Sequence, residues 1–113
     1  MRVLVCGGRD YGKTSDEVAT IADALAVLPE DTVLIHGDAR GADRLAGDIW
    51  AAWGSPMEVY PADWKTHKKA AGPIRNQQML DTGIDLVIAF PGGAGTADMM
   101  RRARKAGVTV KEV

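Results

Sequence analysis

Residues 85–96 read Asp85-Leu86-Val87-Ile88-Ala89-Phe90-Pro91-Gly92-Gly93-Ala94-Gly95-Thr96. An apolar run of this length, flanked by turn residues, is the pattern of a strand covered on both faces. It runs into Gly92, Gly93 and Gly95, three glycines within four positions. Glycines free the backbone and let a ligand approach the peptide groups. Thr96 then reads as the cap of a helix that stops at Gly107. Strand, glycine loop and helix in that order turn free N–H groups and the positive end of a helix dipole towards an anion. A plain strand-to-helix turn needs fewer glycines, so the segment reads as a phosphate cradle with Thr96 as a further donor.

The same alternation extends outward through the chain. Strands are expected at Val3–Cys6, Thr32–His36, Met57–Tyr60, Asp85–Phe90 and Val108–Val113. Thr14 followed by Glu17 is a capping box opening a helix with Val18, Ile21, Leu25 and Leu28 on one face. A second helix is expected from about Ala42 to Trp53, with Gly54 as its stop. A third starts at Pro73, placing Arg75 and Asn76 in its first turn. Each interval between strands is long enough for a crossover helix. Right-handed crossovers give an α/β fold: a five-stranded parallel sheet with helices on both faces. Ligands in such folds bind beyond the carboxyl ends of the strands. The loops at those ends are 7–13, 37–41, 61–72 and 91–95.

The chain has 113 residues, which fits one domain spanning 1–113. Apolar residues make up 46% and charged residues 26%, the proportions of a folded globular protein. No apolar stretch approaches a membrane span, and the N-terminal run is too short for a secretory signal. One cysteine and two histidines exclude an internal disulfide and a Cys/His zinc site. A cytoplasmic setting fits, and no metal is expected. Net charge is −1, so no global basic field points to nucleic acid. Residues 1–60 hold 5 basic against 10 acidic groups, and residues 61–113 hold 9 against 5, which favours an anionic ligand in the second half.

Three further loops carry chemistry. Gly7-Gly8-Arg9-Asp10-Tyr11-Gly12-Lys13-Thr14 matches G-x-x-x-x-G-K-[ST], the pattern of a P-loop NTPase or kinase, which would require magnesium. The capping box starts the helix too late for that, and no later strand ends in an Asp suited to the metal. On the other reading Gly7 and Gly8 make room for a ligand and Arg9 offers a planar fork to phosphate. In His36-Gly37-Asp38-Ala39-Arg40-Gly41-Ala42-Asp43, Gly37 and Gly41 bracket a tight turn. Arg40 projects towards the ligand, and Asp43 serves the helix start. His36 is an acid–base candidate or a satisfied structural residue. Pro61 to Gly72 reads as a long loop, in which Trp64 stacks on a base or packs as part of a lid.

These blocks resemble the YspA-like family of the SLOG superfamily of Rossmann-like domains. The resemblance rests on Gly7 to Tyr11, His36 to Asp43, Pro61 to Trp64, Ala71 to Asn76 and Pro91 to Thr96. It implies a Rossmann-like three-layer sandwich that binds or senses a nucleotide or nucleotide-derived ligand. A cousin, the Lonely Guy family of phosphoribohydrolases, has an Arg-Lys pair with a following Met, then Pro-Gly-Gly-x-Gly-Thr-x-x-Glu. Arg75, Met79 and Pro91 to Thr96 match it; Asn76 replaces the Lys and Met99 the Glu. The resemblance makes Arg75 catalytic only if the protein is a hydrolase. Without a carboxylate at Met99 the oxocarbenium-like charge of N-glycosidic cleavage has no partner, and Asp98 lies ~100° around the helix. Another cousin, DNA-processing protein A, binds single-stranded DNA, which the charge here disfavours.

The expected site therefore comprises Gly7, Gly8, Arg9, Gly37, Arg40, Arg75, Asn76, Gly92, Gly93, Gly95 and Thr96, with Tyr11 or Trp64 stacking on the base. No cofactor is required, the partner is the nucleotide itself, and relatives together with three tryptophans suggest a homo-oligomer.

Overall fold

The computed structural model describes residues 1–113. Its strands are β1 (Arg2–Cys6), β2 (Val33–His36), β3 (Met57–Val59), β4 (Leu86–Ala89) and β5 (Thr109–Glu112). They form one parallel sheet in the order β3-β2-β1-β4-β5. Its helices are α1 (Ser15–Ala26), α2 (Ala42–Ala52), α3 (Trp64–His67), α4 (Ala71–Asp81) and α5 (Ala94–Lys105). The expected Rossmann-like α/β sandwich is the fold observed.

Alternation along β1 explains the layers. Val3 and Val5 pack with Ile21 and Leu25 of α1 and Trp50 of α2. Leu4 and Cys6 face the other way, onto Met79 of α4 and Met99 of α5. Successive side chains of a strand point to opposite faces, so both faces of β1 are covered. No helix is long and apolar enough to cross a membrane.

The Thr14 side chain accepts from the amide of Glu17 at 3.1 Å, and α1 starts where the capping box put it. Three other boundaries differ from expectation. The helix starting at Pro73 begins instead at Ala71, which makes Pro73 its third residue. The N–H that proline lacks has no intrahelical acceptor there, so the ring is tolerated. Arg75 and Asn76 consequently sit in the second turn. The long loop 61–72 contains α3 and a 3-10 turn at Lys68–Ala70. Asp63 caps α3 through the amide of Thr66 at 3.1 Å, but none of its side chains is buried, so no apolar period marks it. The last helix begins at Ala94, with Gly93 in the cap position and no side-chain cap. Thr96 is its third residue, and the hydroxyl that was read as a cap is buried.

From β1 the chain steps outward to β2 and β3, then returns to lay β4 on the opposite side of β1. The loops leaving β1 and β4 therefore diverge at the switch point of the sheet, where a crevice opens.

Candidate functional site

The crevice is a cleft of about 800 Å³ above the carboxyl ends of β1 and β4. Its floor is made by two loops locked together. The Gly8 amide donates to the Pro91 carbonyl at 2.9 Å. A Cβ on Gly8 would lie 2.9 Å from that carbonyl oxygen, and one on Gly92 2.7 Å from the Gly8 nitrogen and against the Thr96 hydroxyl. A Cβ on Gly7 would strike Ala42 at 2.6 Å. Gly7, Gly8 and Gly92 do line the cleft, but the space their missing side chains leave is filled by the protein.

Gly93 and Gly95 differ. A Cβ at either meets nothing within 4 Å. The amides of Gly93, Ala94, Gly95 and Thr96 donate to no protein acceptor. Unpaired N–H groups at a helix start are the donors an anion needs.

Arg9, Trp64 and Arg75 line the same cleft. The Arg9 guanidinium carbon lies 5.6 Å from the centroid of the Trp64 ring, within cation–π range. Trp64 is 48% exposed. Arg75 is partly buried. It donates to the carbonyl of Gly37 and, at 3.5 Å, to that of Tyr60, and its Nε–H reaches Asn76 Oδ1 at 3.3 Å. Burial lowers its pKa from the usual arginine value, Asp43 opposes that, and Arg9 adds to it. Arg75 forms no salt bridge, so its charge is not neutralised at contact.

Asn76 acts differently from its sequence assignment. Its side-chain NH₂ donates to the Gly95 carbonyl at 3.2 Å and to Asp98 at 3.0 Å. It tethers α4 to the start of α5 at the border of the cleft. Asp98 faces the cleft, while Met99 is wholly buried in the core. Burial works to raise the Asp98 carboxyl, but Asn76, Arg102 and Arg101 outweigh it and hold the pKa below the usual value.

Tyr11 stacks on Phe90, with ring centroids 5.6 Å apart and planes at 19°. Tyr11 and Trp64 both line the cleft, and Trp64 is the more exposed of the two. Gly37 and Arg40 lie outside the main cleft, in a groove beside it that shares Arg9, Trp64 and Arg75. A Cβ on Gly37 would lie 2.5 Å from the Arg75 guanidinium carbon. His36 is buried. Its Nδ1 accepts from the Asp38 amide at 3.0 Å, its ring presses on Gly47, and burial lowers its pKa. It is the structural residue of the two readings. Burial, then Asp43, pushes the Cys6 thiol up to about 12, so it carries no thiolate at neutral pH.

The P-loop pattern is occupied by the protein itself. One carboxylate oxygen of Glu17 accepts from the amides of Gly12 at 2.9 Å, Lys13 at 3.0 Å and Thr14 at 3.4 Å. Lys13 pairs with Asp10 at 3.2 Å. The amides and ammonium that would hold phosphate in an NTPase have internal partners here.

Sequence reasoning assigned Asp43 to the helix start and missed its place in the cleft. Its carboxylate is buried and accepts from the Gly37 amide at 3.1 Å. Burial pushes its pKa up to about 6, against the Gly37 amide and Arg75. The folded value lies above the unfolded value of ~3.8, so the unfolded chain loses this proton first. The contribution of this carboxyl to stability falls as pH rises from about 4 to about 6 and stays lower above that. Asp43→Asn is expected to melt higher than the parent at pH 8, with the difference closing on acidification to pH 4. A constant difference across that range would contradict the assignment.

Comparison with known proteins bears on the family and the fold. The sequence pattern of the YspA, cpYpsA-related SLOG family matches residues 1–67. The Gene 61 protein of Mycobacterium phage D29 is 42% identical over 118 residues, covering 96% of this chain and 93% of that protein. Among solved structures, the C-terminal domain of a hydrogenase from Pyrococcus furiosus superposes with a TM-score of 0.56 at 18% identity, over 98% of this chain and 89% of that one. DNA processing protein A from Streptococcus pneumoniae gives 0.55 at 17% identity, over 97% of this chain and 58% of that one. The two structures share the fold, and the sequence matches carry more. This chain belongs to the YspA, cpYpsA-related SLOG family.

Proposed function

We propose that the protein binds a nucleotide or nucleotide-derived ligand in the cleft between β1 and β4. The phosphate sits on the amides of Gly93 to Thr96, Arg75 and Arg9 add positive charge, and Trp64 stacks on the base. The observation that carries this reading is the open start of α5: unpaired amides beside two glycines that no protein atom crowds, at the switch point of the sheet. Membership of the SLOG family points to nucleotide-related binding in the same direction.

Binding, rather than cleavage, fits the carboxylates. The side chain at position 99 is a methionine buried in the core, and Asp98 is held by Asn76, Arg101 and Arg102. Neither is free to meet a developing positive charge on a ribose. The protein then acts as a sensor, whose output is its liganded state.

The test is a thermal-shift screen with nucleoside mono-, di- and triphosphates, paired with mass spectrometry of small molecules that co-purify. A ligand at 100 times its Kd stabilises by about 2.7 kcal/mol, a shift of roughly 10 °C for a domain of this size. Arg75→Ala is expected to abolish that shift. Free base, followed by chromatography, is expected not to accumulate; its release in an Arg75-dependent manner would replace the sensor by a hydrolase. No shift with any nucleotide would defeat the proposal.

A further inference from the structure

Beside the main cleft, the groove holding Arg40 has a volume of about 500 Å³ and runs between the loop after β2 and the segment leading into α3. Its charged lining is four arginines, Arg9, Arg40, Arg44 and Arg75, against one carboxylate, Asp38. That carboxylate is already paired with Arg44 at 3.3 Å. Arg9, Arg40 and Arg75 form no salt bridge anywhere in the protein. In a chain whose first 60 residues are net acidic, this is a local reversal of sign. Planar guanidinium forks suit a phosphate better than a point charge would.

The groove is continuous with the cleft through four shared residues: Arg9, Ala39, Trp64 and Arg75. Arg9 lies over the indole. Arg75 reaches from α4 to the carbonyls at the ends of β2 and β3. A ligand whose first phosphate rests on α5 and whose base meets Trp64 therefore has its other end at the arginines.

We infer that this groove is a second anion subsite centred on Arg40, and that the ligand carries two separately borne phosphates: a nucleoside bisphosphate or a short dinucleotide rather than a monophosphate. This rests on the nucleotide reading above, and adds to it the chemical class of the ligand. The α5 amides take one phosphate and Arg40, with Arg44 beside it, takes the other.

The test is calorimetry with the four nucleoside 5′-monophosphates, their 3′,5′-bisphosphates and the 5′-phosphorylated dinucleotides. One charge-assisted contact of ordinary strength corresponds to about tenfold in affinity. The expected result is that a bisphosphate or dinucleotide binds at least about tenfold tighter than its monophosphate, and that Arg40→Ala brings this ratio close to one. Arg40 is exposed and makes no hydrogen bond in the structure, so the variant folds. A gain with the bisphosphate identifies a terminal phosphate monoester, and a gain confined to the dinucleotide identifies a bridging diester. A ratio of one in the parent, or one that Arg40→Ala leaves unchanged, overturns the subsite. If monophosphates still bind in that case, the nucleotide reading survives; if no probe binds, both fall.

Discussion

Gly95→Val is expected to leave the unliganded protein folded and to weaken nucleotide binding by about 100-fold or more. Gly95 lines the cleft and a Cβ there meets nothing within 4 Å, so the larger side chain is expected to occupy cleft space rather than to displace the core. Position 95 is the second residue of α5, where valine is a slightly better helix former than glycine. The Gly95 carbonyl that Asn76 holds is retained, because the substitution changes only the side chain. The unliganded melting temperature should therefore stay within about 2 °C of the parent. Binding is another matter. The new methyl groups cover the amides through which a phosphate would be held. A hydrogen bond to a charged group contributes about 1.5–3 kcal/mol, so losing two gives a factor of 100 or more. Calorimetry on both proteins checks it. Retained affinity with a native melting curve would mean that the anion does not rest on α5.

That contrast depends on a division among the glycines which the sequence does not reveal. Gly7, Gly8, Gly92, Gly93 and Gly95 look alike as letters. Their surroundings separate them, and those surroundings come from distant parts of the chain: Ala42 against Gly7, Pro91 against Gly8, open space at Gly93 and Gly95. The strands were legible for the opposite reason. Val3–Cys6 and Leu86–Phe90 are apolar on both faces, and local composition records that burial directly. Likewise α1 announces itself because cap and box lie within four residues. The start of α5 does not, since its cap is a glycine with no side chain to mark it. The cleft carboxylates Asp43 and Asp98 were hidden in the same way, because burial and remote partners define them: Gly37 for the first, Asn76 for the second. Even the match to the phosphoribohydrolase pattern read differently in three dimensions. Met99 turns into the core, and it is Asp98, set aside as rotated away, that borders the cleft.

Gly41→Ala is expected to destabilise the fold by about 3–5 kcal/mol, through two causes. Gly41 precedes α2 with φ 89° and ψ −127°, a conformation open in practice to glycine alone. Holding an alanine there costs on the order of 1–3 kcal/mol. The second cause is contact. An added Cβ would press on the Gly8 carbonyl oxygen and lie 2.5 Å from that of Arg9, both backbone atoms. They cannot withdraw cheaply. The Gly8 carbonyl accepts from the amides of Tyr11 and Ala42, each at 3.2 Å, and the Gly8 amide is tied to Pro91. Overpacking of this kind costs a further 1–3 kcal/mol. Gly54→Ala supplies the control. Gly54 also has a positive φ, 72°, but a Cβ there meets nothing within 4 Å. Its alanine variant should lose only about 1 kcal/mol. Urea unfolding of the three proteins gives both numbers. The excess for Gly41 over Gly54 contains the contact with the loop after β1 together with any extra strain of the Gly41 backbone. An excess below about 1 kcal/mol would mean that the floor of the cleft yields, and that its glycines are not set by the protein's own packing.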